Sequence, residues 1–393
     1  MKYRLLDILK CPECRCSPLC LEIFEKELAP FDGNIDGVKC AEFCAFEIDG
    51  NKKHCTTCYL NEIIEGILFC NTCQGCYPVV DGIPRFYPGW HKDFPHFVKK
   101  HRKALSNQIS NEELAEGLEH FERLHKATKE SFGFQWLKYE VTEREEDFED
   151  FFSKTDVRPE FLKRKLILDA GCGMGRFLMV SARADNEVIG IDLSASVDRA
   201  YRLVKNLPFV HVVQGDLMRP PFKVEIFDFI YSIGVLHHTP STNEAFQSVS
   251  ELAKKGGRIS IWVYQAWVSP ELKAKYKRLF ARTQELVFDG LRVITIRRPH
   301  QLLHYICYIA VPLGWLQMRI QRNIVAKILF WPLLLVYVRG HTKWQIRLLD
   351  TFDWYSPKYQ WKHTFNEVFG WFQQEGFYDI EKTPSHPIGV TGI

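Results

Sequence analysis

The chain has 393 residues, with 51 Lys+Arg against 48 Asp+Glu, and is 46% hydrophobic. That balance supports two or three domains with at least one sizeable core, and it excludes a disordered tail protein, a collagen-like repeat and a small disulfide scaffold. The net charge of +3 conceals an uneven distribution, because residues 271–347 carry 14 Lys+Arg and three acids. The 13 cysteines are as uneven: eleven lie between Cys11 and Cys76, leaving only Cys172 and Cys307 elsewhere.

The opening MKYRLLDILK has no charged-then-apolar-then-small leader pattern. No apolar run reaches the roughly 18 residues of a spanning helix. A cytoplasmic chain with reduced thiols is expected, peripheral to a membrane at most, and clustered cysteines there read as metal ligands before disulfides.

Residues 1–90 form the first expected unit, Cys-rich and turn-rich. Cys11 and Cys14 make one CxxC pair and Cys70 and Cys73 another; Cys40/Cys44 and Cys55/Cys58 lie between them. Two short-spaced thiolate pairs brought together by a hairpin give Zn²⁺ a tetrahedral site, so eight cysteines allow one or two structural sites. Nested pairing, outer with outer and inner with inner, is preferred over sequential pairing. Cys16, Cys20, Cys76 and His54 are possible substitutes. A closed Cys₄ site has no open position for substrate. This module is therefore not where chemistry is expected.

Residues 91–160 are polar, acidic and helical by pattern, expected as a solvated linker and cofactor lid. Residues 161–265 alternate β-rich runs with helical stretches, the signature of a parallel α/β sheet. Residues 266–347 are basic and apolar, an expected helical insertion covering the acceptor. Residues 348–393 return to an α/β pattern, with a helix at FNEVFGWFQQEGF and a short strand at YDIEKT.

The strand LILDA runs into Gly171-Cys172-Gly173-Met-Gly175. Glycines allow positive φ and close backbone approach. Asp169 before that turn would repel a pyrophosphate and suits an amine-bearing ligand. Asp192, with Leu193 beside it, ends the next strand and can accept from both ribose hydroxyls. Asp216 and Leu217 follow the third strand, placed for an adenine amino group and ring. In the fourth-strand segment, His237 and His238 are candidate general bases, because imidazole titrates near neutrality. Ile233 shapes the pocket, and Tyr264 is a weaker acid/base or orienting candidate. Phe134 and Trp136 precede the sheet and can face a sulfonium through cation–π attraction. Asp353 and His363 are possible acceptor-site residues.

Two family resemblances follow. LLDILKCPEC and GILFCNTCQGCYPVVDGIPRF look like the small zinc-ribbon family of tRNA-methyltransferase activators, which implies a stabilising or docking module. The ordered motifs at Asp169–Gly175, Asp192 and Asp216-Leu217, with the Gly-Gly turn of LAKKGGRISIWVY, resemble the class I S-adenosylmethionine-dependent methyltransferases. That implies a doubly wound, mostly parallel Rossmann-like sheet, S-adenosylmethionine as cofactor, and Asp169, Gly171, Cys172, Gly173, Gly175, Asp192, Leu193, Asp216, Leu217, Ile233, Phe134 and Trp136 around it. The expected reaction is methyl transfer to an O or N atom of a small-molecule, sugar or lipid-type acceptor. Peripheral membrane contact through 266–347 is expected to accompany it, with nucleic acid less favoured. The alternatives are an RNA or translation-protein methyltransferase, and a non-catalytic zinc-containing adaptor.

Overall fold

The computed structural model describes residues 1–29, 55–105, 113–138, 144–183, 186–266, 275–338, 340–341, 343–385 and 388–393. Cys40, Cys44 and His54, and the side chains of Cys55 and Trp136, lie outside the described residues.

One sheet runs through the molecule. Its strands in chain order are β1 (Cys20–Leu28), β2 (Asn61–Phe69), β3 (Cys76–Val80), β4 (Ile83–Phe86), β5 (Leu166–Ala170), β6 (Glu187–Asp192), β7 (Val210–Gly215), β8 (Phe227–Ile233), β9 (Ala253–Val263), β10 (Glu381–Lys382) and β11 (Ile388–Gly392). They lie in the order β1-β2-β3-β4-β7-β6-β5-β8-β9-β11-β10. The first four pair antiparallel, β7 through β9 pair parallel, and β11 turns antiparallel against β9. The parallel strands read as continuous apolar runs because both faces are covered; all five residues of β5 are buried.

The two units meet where β4 pairs parallel with β7, Arg85 opposite Gln214 and Phe86 opposite Gly215. Arg85, 1% exposed, donates to Gln214 Oε1 at 2.8 Å and to Asp198 Oδ1 at 2.6 Å. A second buried polar knot lies alongside. Arg4 and Tyr59 from the N-terminal unit and His211 from β7 converge on Glu187 of β6, at 3.0, 3.0 and 3.1 Å. Burial pushes the Glu187 carboxyl up, but His211 and Arg4 together hold it down at about 2. The apolar core is continuous across this seam, with Leu5, Leu9 and Val79 joining Leu168, Ile191 and Phe222.

The principal helices around the sheet are α1 (Glu113–Lys138), α2 (Arg144–Thr155), α3 (Thr242–Ser250), α4 (Lys275–Thr295), α5 (His300–Ile320), α6 (Ile324–Leu329), α7 (Trp344–Tyr355) and α8 (Phe365–Gln374). Helix α2 is more than a solvated linker: Phe151 and Thr155 are fully buried, and Phe151 packs edge-on against Tyr231 of β8. Its acids Glu146, Asp147, Glu149 and Asp150 line the cavity described below, and Asp147 is buried. Helices α4 and α5 pack on α7 through Phe288, Leu303, Cys307, Leu348 and Phe352. Arg292 of α4 donates to the Trp354 and Pro357 carbonyls at 2.8 and 2.7 Å, tying the insertion to the returning chain. On the outer side, Leu286, Ile309, Ile324 and Ile328 are each at least 68% exposed, and the Arg319 guanidinium sits 3.8 Å over Trp315. Among the described residues no helix is long and apolar enough to cross a membrane.

Helix α8 begins at a capping box of Thr364 and Glu367. The strand expected at YDIEKT is only Glu381–Lys382, and the longer closing strand is β11, whose Gly-Val-Thr-Gly pattern hides it.

Candidate active site

The carboxyl ends of β5, β6, β7 and β8 open into a cavity of about 1200 Å³. Ligands in open α/β sheets bind at this end, where the strand order reverses. Gly171 sits at φ 99°, and a Cβ there would lie 2.3 Å from Val235 Cγ2. No other residue fits that position. Gly173 (51°) and Gly175 (89°) continue the left-handed turn. Cys172 between them is buried against Gly190, and burial pushes its thiol well above the usual range. It is unsuited to redox work.

Asp169 is 2% exposed, and its Oδ2 has no hydrogen-bond partner. Burial raises its carboxyl to about 8, against the lowering pull of the Tyr231 hydroxyl. Asp192 accepts from the Gly173 N–H at 3.0 Å and from the Ser194 N–H and hydroxyl at 2.8 and 2.7 Å, which sets its orientation in the pocket wall. Asp216 accepts from the Met218 N–H at 3.0 Å and faces His125 Nε2 at 3.2 Å. Leu193, Leu217 and Ile233 also line the cavity.

Helix α1 forms one wall, through His125, Thr128, Phe132 and Gln135. The turn after β8 forms another. His238 lines the cavity; its Nδ1 lies 2.8 Å from the Tyr359 carbonyl, while its Nε2 is buried and unpartnered. His237 is fully buried beneath it, packed on the Tyr264 ring at 4.0 Å, and is not among the lining residues. Tyr264 donates to Asp353 Oδ2 at 2.6 Å, and its ring stacks on Trp354 at 4.7 Å. Gln135 Nε2 donates to the other oxygen of Asp353 at 3.1 Å, and Gln135 Oε1 is left without a partner. His363 is elsewhere, held between Thr242 Oγ1 and Glu367 Oε1 at 2.9 Å each. Phe134 packs outward against Phe352, His300 and His304 rather than lining the cavity.

The stretch from Phe132 to Trp136 reads from the sequence as part of the pocket, with Phe134 and Trp136 as its cofactor candidates; Phe132 and Gln135 are the ones that line the cavity, and His125 was not anticipated. Helical periodicity turns Phe132 and Gln135, three apart, to one face and Phe134 away from it.

The pocket fits S-adenosylmethionine. The glycine turn admits a closely approaching chain; Asp169, just before it, is buried with one oxygen unpartnered and is not itself among the lining residues. Asp192 and Asp216 end successive strands, as ribose and adenine would need. When bound, that group supplies an electrophilic methyl on a sulfonium.

At the far end of the sheet, the Sγ atoms of Cys11, Cys14, Cys70 and Cys73 lie within 4.8 Å of one another. The Cys11–Cys73 and Cys14–Cys70 separations are 3.5 and 3.4 Å. A tetrahedral ion with ~2.3 Å metal–sulfur bonds sets the sulfurs about 3.8 Å apart. The set thus fits a structural Zn²⁺. Each knuckle turns at a left-handed residue, Arg15 and Gln74, both at φ 62°. Cys58 sits apart, buried beside Tyr59.

A methyltransferase-domain family matches residues 168–261, and a Trm112p-like protein family matches residues 2–82. The chain carries a methyltransferase domain and a Trm112p-like domain. Among relatives, the tRNA (carboxymethyluridine(34)-5-O)-methyltransferase of Saccharomyces cerevisiae is 28% identical over 158 residues, 32% of this chain and 55% of that one. The tRNA U34 carboxymethyltransferase of Pseudomonas paraeruginosa is 36% identical over 104 residues, 25% and 32%. The 24-methylenesterol C-methyltransferase 3 of Arabidopsis thaliana is 33% identical over 110 residues, 27% and 30%. The matches span from under a third to just over half of these relatives' lengths.

The tRNA methyltransferases among these relatives overturn two expectations: the small-molecule, sugar or lipid-type acceptor, and the low standing given to nucleic acid as a partner. The physical error lay in weighing the apolar runs of 266–347 against RNA. Those runs bury Phe288, Leu303, Cys307 and Val311 against α7, but leave Tyr305, Tyr308, Trp315 and Trp331 exposed among the basic positions, so apolar content alone did not argue against a nucleic-acid surface. The membrane contact expected there finds no support in these relatives' names.

Proposed function

We propose that the chain is an S-adenosylmethionine-dependent methyltransferase acting on RNA of the tRNA class, in the cytoplasm, with its Trm112p-like domain as a built-in stabilising unit. One observation carries the reading. The Trm112p-like unit is joined to the methyltransferase sheet strand to strand, β4 on β7, and relatives of the catalytic unit are tRNA methyltransferases. The sterol relative shares the cofactor chemistry, and the joined second domain favours RNA over its kind of acceptor.

In this reading Asp169, the glycine turn, Asp192 and Asp216 hold the cofactor, and the α1 wall excludes water around it. His238 is the base. A carbonyl can only accept, so the Tyr359 carbonyl keeps the proton on Nδ1 and leaves the lone pair on Nε2. Burial holds the ring below its usual range and therefore neutral near pH 7. Tyr264 orients: burial and Asp353 hold its hydroxyl protonated. His237 supports both rings from below.

The test is methyl incorporation from labelled S-adenosylmethionine into total tRNA by the purified chain, followed by digestion to nucleosides. A single labelled nucleoside, absent with Asp192→Ala, is expected. Label that enters only non-RNA fractions would sink the RNA reading.

A further inference from the structure

We propose that the acceptor atom is a protonated nucleophile, a hydroxyl or an amine, and not a carboxylate. The inference rests on the methyltransferase reading above and distinguishes this chain from the yeast relative, whose name specifies a carboxymethyluridine.

Three observations carry it. The first is charge. Among the described residues lining the cavity, eight are carboxylates and three are cations. Each cation is engaged by an acid: Lys129 by Asp93, Lys154 by Asp150 at 2.7 Å, and Arg176 by Asp147 and Asp150. An anionic acceptor group would enter a negative cavity with no uncommitted lining cation to receive it, while a neutral or cationic group meets no such repulsion.

The second is the sense of the hydrogen bonds. Among the described residues lining the cavity, the buried side-chain atoms still wanting partners are His238 Nε2 and Gln135 Oε1, both acceptors, and the Thr128 hydroxyl, which can act either way. Gln135 turns its N–H toward Asp353, which fixes its carbonyl as the free end. A buried acceptor left unmet costs about 1–3 kcal/mol, so the complementary ligand brings hydrogens. A hydroxyl or amine does so; a carboxylate brings only lone pairs.

The third is the fate of the proton. On methylation of a hydroxyl or amine, the acceptor lone pair forms the new bond to carbon. The carbon–sulfur pair stays on sulfur, and the acceptor proton must leave. His238 Nε2, neutral and unpartnered, can take it. A carboxylate releases no proton on methylation and would leave that base idle.

The experiment uses the full chain, methyl-tritiated S-adenosylmethionine, and the tRNA, protein and small-metabolite fractions of cells. Labelled product is exposed to mild alkali. A methyl ester releases its label as volatile methanol, whereas O-alkyl and N-methyl products keep it. Retained label is expected, and volatile label would overturn the proposal. The fraction that carries the label reports separately on the RNA reading. As a second readout, Asp353→Asn should raise KM for the acceptor several-fold with cofactor affinity unchanged, and an unchanged KM would count against the site.

Discussion

The ring of His238 is fixed by the backbone carbonyl of Tyr359, 2.8 Å from Nδ1 and 121 residues further along the chain. One carbonyl thereby decides which nitrogen of the histidine carries its proton. The two adjacent histidines separate on this basis. His238→Ala should lower kcat by about 10²–10⁴-fold while cofactor binding persists, the usual yield of a positioned base. His237→Ala should instead lower the melting temperature, since it removes a packed ring under Tyr264. Comparing kcat with calorimetric cofactor affinity for the two variants separates these outcomes. The parent's rate should also fall on acidification, with its midpoint below the ordinary histidine value of 6.5.

Asp169 links cofactor binding to pH. Its carboxyl is raised to about 8 by burial, so the free pocket is largely protonated there at neutral pH. A ligand bringing an ammonium or sulfonium favours the carboxylate. Affinity should therefore increase as pH rises from 6 toward 8, with a proton released on binding. Calorimetry in buffers of different ionisation enthalpy measures that release, and Asp169→Asn should abolish it.

At the seam, Arg4 and Glu187 are both nearly sealed from water, 1% and 5% exposed. Removing one partner of a buried pair leaves a charge uncompensated, so Arg4→Ala should cost about 3–5 kcal/mol in urea unfolding. The native Glu187 carboxyl, held at about 2, lies below its ordinary 4.5. The stability it contributes is complete above 4.5 and is lost as pH falls from 4.5 toward 2. Glu187→Gln should flatten that part of the stability profile.

Chelation should reach beyond the metal module. Stripping zinc from Cys11, Cys14, Cys70 and Cys73 removes the tie between the two knuckles, and β4 loses support where it meets β7. A fall of roughly 10 °C or more in melting temperature is expected. Cofactor affinity should weaken alongside it. Differential scanning calorimetry with and without chelator, at fixed cofactor, measures both.

The strand ends were legible because strand–turn–helix junctions confine glycine and aspartate to a few places. Asp169 and Asp192 lie in the last residues of β5 and β6, Asp216 directly follows β7, and Gly171, Asp192 and Asp216 line the cavity. The outer cysteine pairs were legible for a similar reason, since metal geometry dictates local spacing. What stayed hidden depends on contacts distant in sequence. Nothing near His238 predicts that Tyr359 will fix its tautomer, and nothing near Gln135 points to Asp353, 218 positions away. Within FGFQW, Phe132 and Phe134 stand on different helical faces, and only the packing of Phe134 against Phe352 of α7 leaves Phe132 to the cavity. The join of β4 to β7 left no trace, since IPRF reads as the end of a module and not as the middle of a sheet.

That join sets a stoichiometry. An activator supplied as a separate subunit binds its enzyme at whatever concentration the cell provides, and several enzymes can compete for it. Here the module is covalently adjacent, its effective concentration is high, and its free edge is already taken. Each catalytic unit keeps a private copy. A chain starting at residue 91 would bare the β7 edge, strand Gln214 and Asp198 without Arg85, and invite pairing with its own kind in solution. Loss of the first ninety residues would then register as precipitation before any catalytic defect could be assayed.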